Sequence, residues 1–328
     1  MGGNEPMYTR ANTDWFARCR YGLAVHWTAQ TAPLRGAALG FQDAVAQFDM
    51  SAFIDGVLAS GADYVLFTVT HALHMLPCPH PVVDSILPGR TSKRDLIAEL
   101  ALRLNTYGKR LLLYYNHSCN NGEDPEWEDA LGYHTPPAGQ FMDRLVEIIE
   151  WMGEFYGSLV SAWWFDSAYS LDPRGPHNSF TSTAGPFDVP WAAITAAAKA
   201  GEHKRLVTYN AGVNETFLYT EHQDYWAGEM VDLDHPPQQR YLSNGLQWHG
   251  WTCLEDRRWV HSQADTDFSP PLYTDEELLA FLRLCVQHQA PMTFNVSIAQ
   301  DGTMAERSIA QLGRIGEALR RTADRPTS

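Results

Sequence analysis

Two acidic residues stand where strongly apolar runs end. Asp166 closes Leu159-Val-Ser-Ala-Trp-Trp-Phe-Asp, and Glu229 closes Asp224-Tyr-Trp-Ala-Gly-Glu. A run as apolar as the first is expected to be buried on both faces of a sheet, so a carboxylate at its end needs partners or a role. Two carboxylates that face each other can cleave a glycosidic bond. One attacks the anomeric carbon, while the other, with a raised pKa, protonates the leaving oxygen and then activates water. Asp166 is the candidate nucleophile and Glu229 the candidate acid/base, with Asp224 and Glu255 as rival acids. The ordinary alternatives are a helix cap or loop-ordering contact for Asp166 and a solvated side chain for Glu229.

Other apolar runs close on His26, on His71, on Tyr115 with His117, on Asn210, on Trp248 with His249, and on Asn295. Five of the 13 histidines (His26, His71, His74, His80, His117) fall at or near the first three of these ends, where a zinc hydrolase could use them. The first run lacks a His-x-His pair, however, and His71-Ala-Leu-His74 is a weak motif, so no metal is expected. The ordinary reading of each histidine is a hydrogen-bonding loop residue. The chain also has no Gly-x-Ser-x-Gly elbow, P-loop or dinucleotide glycine fingerprint, so no cofactor is expected either.

These residues need a scaffold that brings strand ends together. The sequence repeats a rhythm of short apolar run, polar loop and amphipathic helical stretch about eight times. The expected strands are Gly22–Trp27, Tyr64–Thr70, Arg110–Asn116, Leu159–Asp166, Leu206–Asn210, Tyr225–Glu229, Leu246–Thr252 and Met292–Ser297. Thr274-Asp275-Glu276-Glu277 opens a helix in capping-box fashion, and Gly61, Gly108 and Gly157 follow helix ends. Eight such units predict an α/β fold, a single TIM-type (β/α)8 barrel with its chemistry at the carboxyl ends of the strands. An open doubly wound sheet is the alternative. Residues 1–14 read as an N-terminal extension and 15–328 as the catalytic barrel.

Composition narrows the partners. With 39 acidic against 24 basic residues the formal charge is −15, which disfavours nucleic acid and anionic lipid. No apolar run approaches the length of a membrane span. The polar start shows no secretory signal, and five scattered cysteines read as free thiols in a reducing cytoplasm. The 11 Trp, 14 Tyr and 14 Phe could stack on sugars or simply pack a core. Trp27, Trp163, Trp164, Trp226 and Trp248 are the candidate stacking surfaces at the mouth.

Several segments taken together resemble the α-L-fucosidases of glycoside hydrolase family 29. Arg20-Tyr-Gly-Leu-Ala-Val-His26-Trp27 is similar to that family's opening strand, and Ser60-Gly-Ala-Asp-Tyr-Val-Leu-Phe-Thr-Val-Thr-His71 to its second. Lys93-Arg94-Asp95-Leu96 and Tyr114-Tyr115 follow at suitable distances. Trp164-Phe165-Asp166 matches the strand that carries the family's nucleophile. Trp248 through Thr252-Cys253 to Trp259-Val260-His261, then Phe294-Asn295-Val296 and Asp301-Gly302, resemble its later motifs. The resemblance implies a retaining glycosidase with Asp166 as nucleophile, Trp164 lining the sugar pocket, and His26, His71 and Tyr115 near the sugar or the nucleophile. Glu229 falls where one branch of the family keeps its acid/base.

Substrate contacts are therefore expected from His26, Trp27, His71, Tyr115, His117, Trp164, Asn210, Trp226, Trp248 and His249. The chain departs from the family pattern at Ala72, which replaces the second of paired histidines, at Thr28, and in lacking a Glu-Trp-Tyr stretch. Fewer sugar-specific donors predict altered sugar selectivity. A C-terminal β-sandwich is not expected, and 175–190 and 232–244 are candidate lids. The expected ligand is a small glycoside or sugar-bearing metabolite, with no nucleic acid or membrane partner and with homo-oligomerisation left open. The alternatives are a biosynthetic enzyme using the same carboxylates for another transfer, elimination or hydrolysis, and a non-catalytic sugar-binding barrel.

Overall fold

The computed structural model describes residues 10–116, 124–136, 139–176, 184–185 and 188–323. Seven strands follow the expected apolar runs: β1 (Tyr21–Val25), β2 (Tyr64–Thr70), β3 (Arg110–Asn116), β4 (Val160–Asp166), β5 (Leu206–Tyr209), β6 (Gly250–Cys253) and β7 (Met292–Asn295). All neighbouring pairs are parallel, in the order β5-β4-β3-β2-β1-β7-β6.

The expected strand Tyr225–Glu229 is not a regular strand, yet residues 224–230 fill its place. Asp224 N donates to Val207 O of β5 at 2.8 Å, Trp226 N to Gln247 O at 2.9 Å, and Met230 N to Trp251 O of β6 at 2.8 Å. Single parallel bridges join Tyr225 to Gln247 and Glu229 to Trp251. The segment thus bonds to both ends of the curled sheet and completes a (β/α)8-type barrel, which the open-sheet alternative does not allow. Gly228 accounts for the irregularity. Its φ is +68°, and a Cβ there would lie 2.0 Å from His249 O, so only glycine permits this crossing.

The helices are α1 (Asp14–Ala17), α2 (Phe41–Gln47), α3 (Met50–Ser60), α4 (Pro81–Ile86), α5 (Leu96–Thr106), α6 (Pro125–Leu131), α7 (Gly139–Tyr156), α8 (Ala168–Leu171), α9 (Trp191–Ala198), α10 (Asp275–Gln287) and α11 (Glu306–Ala323). Local chemistry sets several starts. Asp49 accepts from Ser51 N and Ala52 N to open α3, Asp95 accepts from Ala98 N to open α5, and Thr274 with Glu277 forms a complete capping box on α10. Gly61 ends α3 in the left-handed conformation.

Strand period two divides the side chains into two layers. Leu23, Val25, Phe67, Trp163 and Phe165 pack outward into the large buried cluster shared with the helices. Ala24, Tyr64, Leu66, Leu112, Ala162, Trp164 and Leu206 point into the barrel. Phe16 of α1 plugs the end where the strands begin, with ring centroids 5.3 Å from Tyr64, 5.2 Å from Tyr225 and 5.3 Å from His249. Residues just before α1 pack on the same end: Ala11 N donates to Asp224 Oδ1 at 2.7 Å.

Among the described residues there is no second sheet, and no helix is long and apolar enough to cross a membrane. Cys19, Cys78, Cys253 and Cys285 are free thiols; Cys119 lies outside the described residues.

Candidate active site

At the carboxyl ends of the strands, inward side chains surround a cavity of about 210 Å³. Its walls are His26 after β1, His71 after β2, Tyr114 of β3, Trp164 and Asp166 of β4, Glu229, Trp251 of β6 and Trp259 from the loop that follows. His71 has odd numbering where the neighbouring inward residues are even. A register shift between Thr68 and Thr70 on β2 changes the parity and brings it in.

Three donors converge on Asp166. Tyr114 OH donates to Oδ2 at 2.5 Å, while Ser167 N and Asn210 Nδ2 donate to Oδ1 at 2.7 and 2.9 Å. Ser167 turns the chain directly after β4 with φ +66°, uncommon for a serine, and this aims its N–H back at the carboxylate. The same Asn210 nitrogen donates to Glu229 Oε2 at 2.6 Å. The two acceptor oxygens share one donor atom, so they lie no farther apart than the two bonds end to end, about 5.5 Å.

The electrostatics differ between the groups. Burial and the nearby Asp166 charge push the Glu229 carboxyl up to about 7, against the Asn210 hydrogen bond, which favours ionisation. Tyr114 is held well above the usual phenol range by burial and by Asp166, so it stays a donor. Burial holds His26 down to about 3, helped by His71 and opposed by its hydrogen bond to Asn295. Asn295 Nδ2 donates to Trp259 O at 3.1 Å, so its Oδ1 accepts from His26 Nδ1 at 2.9 Å and fixes the tautomer. His71 is lowered by burial, which Asp166 partly offsets, and its buried Nδ1 has no hydrogen-bond partner.

Aromatic rings make the remaining wall. Trp164 stacks on Tyr114 at 5.3 Å and meets Trp251 edge-on at 4.6 Å, with its Nε1 donating to Ala227 O at 2.9 Å. Trp251 in turn contacts His26 at 5.3 Å and Trp259 at 4.9 Å. The cavity is therefore an acid pair at one side of an aromatic cup, a place for a compact polyhydroxyl ring with apolar faces.

Of the expected site residues, His26, His71, Trp164, Asp166 and Glu229 line this cavity and Asn210 bridges its carboxylates. Tyr115 does not line it. It alternates outward to pack near Trp163 and Phe165, and Tyr114 occupies the inward position. Trp27 likewise faces out, its Nε1 donating to Gln300 O at 3.0 Å. Trp226 and Trp248 pack on each other at 5.8 Å in the outer layer, where Trp163 also lies. His249 points inward but one level too deep, bonded through Nε2 to Thr293 Oγ1 at 2.8 Å beside the Phe16 plug. His117 lies outside the described residues.

The rival acids are engaged elsewhere. Asp224 clamps Lys199 at 2.8 Å and Val207 N at 2.9 Å, and Glu255 accepts from Ser297 N at 3.1 Å and from Ser308 Oγ. His74 stacks on Trp127 at 4.6 Å and pairs with Asp124, while His80 caps α4. Among the described residues no three His, Cys, Asp or Glu side chains form a group able to hold a metal. The residues missed by sequence reading are Tyr114, Trp251 and Trp259. The first two are brought in by register, Tyr114 pairing with Trp164 across β3 and β4 and Trp251 bridging to Glu229, whereas Trp259 reaches the cavity from a loop.

Residues 41–324 match the alpha-L-fucosidase family. No curated protein matches the chain in sequence. In fold it is similar to the endo-fucoidan hydrolase P5AFcnA from glycoside hydrolase family 107, at TM-score 0.69 and 14% identity over 97% of this chain and 96% of that one. The endo-fucoidan hydrolase MfFcnA9 of the same family gives 0.67 and 15% over 94% of this chain, which spans only 63% of that longer protein. Alpha-L-fucosidase AlfC from Lactobacillus casei, solved with alpha-L-fucose product, gives 0.62 and 16%, covering 94% of this chain and all of that one, 100%.

Proposed function

The chain belongs to the alpha-L-fucosidase family, and from that premise we propose that it is a retaining glycoside hydrolase with Asp166 as nucleophile and Glu229 as acid/base. The observation that carries this reading is the Asn210 amide shared by both carboxylates. Their facing oxygens lie no more than about 5.5 Å apart, a close approach that supports the short carboxyl spacing of retaining enzymes, roughly 5–5.5 Å, over the roughly 6.5–9.5 Å that admits water for inversion.

In the first step the Asp166 carboxylate bonds to the anomeric carbon as the glycosidic C–O bond breaks, and Glu229 gives its proton to the departing oxygen. In the second, Glu229 takes a proton from water, whose oxygen attacks the same carbon and releases Asp166. Glu229 protonated near neutrality suits the first step, and its carboxylate form suits the second. Tyr114, Ser167 and Asn210 hold Asp166 in one orientation and moderate its charge. His26, His71 and Trp164 are the proposed sugar contacts, with His71 Nδ1 awaiting a hydroxyl.

The small cup formed by Trp164, Trp251 and Trp259 beside the acid pair supports one terminal sugar ring rather than a longer chain within it. The substrate is a small glycoside or sugar-bearing metabolite. Hydrolysis of a nitrophenyl glycoside panel, α-L-fucoside included, tests this with wild type, Asp166→Asn and Glu229→Gln. Asp166→Asn is expected to lose on the order of 10³-fold or more in turnover, and the first-formed sugar should keep its anomeric configuration by NMR. An inverted product, or a folded Asp166→Asn protein with undiminished turnover, overturns the mechanism. Silence across the panel with retained sugar binding would favour the non-catalytic barrel.

A further inference from the structure

Beside the catalytic cavity lies a second one of about 340 Å³, and the two share Glu229 and Trp259 as walls. A proton donor that borders both places the oxygen it protonates at their junction, with the sugar on one side and the departing group on the other. The wall beyond Glu229 is mainly apolar. Val213 and Val231, 39% and 44% exposed, sit there with Met230 and Cys253.

Several polar groups of this second cavity are already engaged. Thr252 Oγ1 donates to Val231 O at 3.0 Å. The Arg257 guanidinium, half exposed, is neutralised by Asp232 through bonds of 3.1 and 2.6 Å. A second sugar here would bring several hydroxyls that give up water and find few partners, whereas an apolar group would cover the two exposed valines.

We propose that this cavity is the leaving-group subsite and that it selects a compact apolar aglycone, such as an aryl-methyl or short alkyl group, over another sugar. The inference rests on the Asp166 and Glu229 assignment above. The glycosidic C–O bond breaks at the anomeric carbon, the oxygen takes the proton of Glu229, and the aglycone departs through this cavity as a neutral alcohol.

The test compares benzyl α-L-fucoside, an α-L-fucosyl disaccharide of N-acetylglucosamine, and α-L-fucosyl fluoride. The fluoride needs neither the subsite nor much acid assistance, so it reports on the sugar cavity alone. A benzyl alcohol is the poorer chemical leaving group of the two alcohols, so a benzyl preference comes from binding. The expected kcat/KM is about tenfold or more higher for the benzyl glycoside than for the disaccharide, chiefly through KM. Val231→Asn should lower the benzyl-to-fluoride ratio of kcat/KM by about tenfold, again through KM. Turnover of the fluoride with equal or better use of the disaccharide overturns the inference and leaves the mechanism standing. Failure to turn over even the fluoride, from folded protein that hydrolyses no other glycoside of the panel, overturns both.

Discussion

Glu229 suits the proposed acid role because two influences on it add. Burial and the Asp166 charge both disfavour its anion, and one amide bond from Asn210 does not cancel them. A carboxyl raised to about 7 stays protonated through mildly acidic pH and is lost as an acid above neutrality. For an alkyl glycoside, kcat/KM should therefore fall as pH rises through about 7. Glu229→Gln should remove that limb and lower the plateau by roughly 10²–10⁴-fold. A pH–rate profile from 5 to 9 checks this; an unchanged alkaline limb in the variant would assign the acid to another group. His26, held down near 3, stays neutral across that range and contributes no limb.

Among the elements, the crossing at residues 224–230 decides where Glu229 points. A regular strand would alternate smoothly into its loop, but Gly228 brings the backbone against His249 O and Gly250, and Glu229 follows at once. The carbonyl of Glu229 also accepts from Asn214 N at 2.7 Å, which ties the crossing to the loop after β5. Gly228→Ala combines a left-handed backbone with a clash against backbone atoms, so the cost to stability should be roughly 2–5 kcal/mol. Activity per folded molecule should drop as well, since Glu229 must shift. Urea denaturation with turnover measured on the folded fraction checks both; a variant with full activity would mean that the crossing does not position the acid.

Across the whole molecule, buried acids and buried histidines pull the pH response in opposite directions: burial holds His26 down to about 3 and His80 and His249 to about 4, so their contribution to stability grows as pH rises towards 6.5, while the raised acids lose theirs. Glu255 lies between the end of β6 and α11, accepting hydrogen bonds from Ser297 and Ser308. Burial raises it from 4.5 to about 7 despite those bonds. The folded state thus holds a proton that the unfolded chain releases near 4.5. The stability this confers is fully present below that pH and is lost as pH rises through about 7, on the order of 3 kcal/mol. Glu229 adds a loss in the same direction. The change in unfolding free energy from pH 5 to 7.5 should be more favourable in Glu255→Gln than in the wild type by on the order of 3 kcal/mol, because the variant no longer loses this contribution. An equally steep dependence in that variant would place the titration elsewhere.

Local periodicity determined much of this protein from the sequence alone. Apolar runs alternating with capped amphipathic helices specify strand-then-helix units, and eight of them favour a barrel over an open sheet, so the strand ends and Asp166 were legible. Alternation along β4 was legible too, placing Trp164 and Asp166 on one face, but only the pairing of Tyr114 with Trp164 decides that Tyr114 faces in and Tyr115 out. The tertiary structure decided the rest. Asn210 meets Asp166 across 44 residues and Glu229 across 19, Trp259 arrives from a loop, and Asp224 and Glu255 are withdrawn by Lys199 and Ser308. Side-chain period is written in neighbouring residues, but these meetings exist only once the ring is closed, because closure alone fixes which strand ends and loops share the mouth.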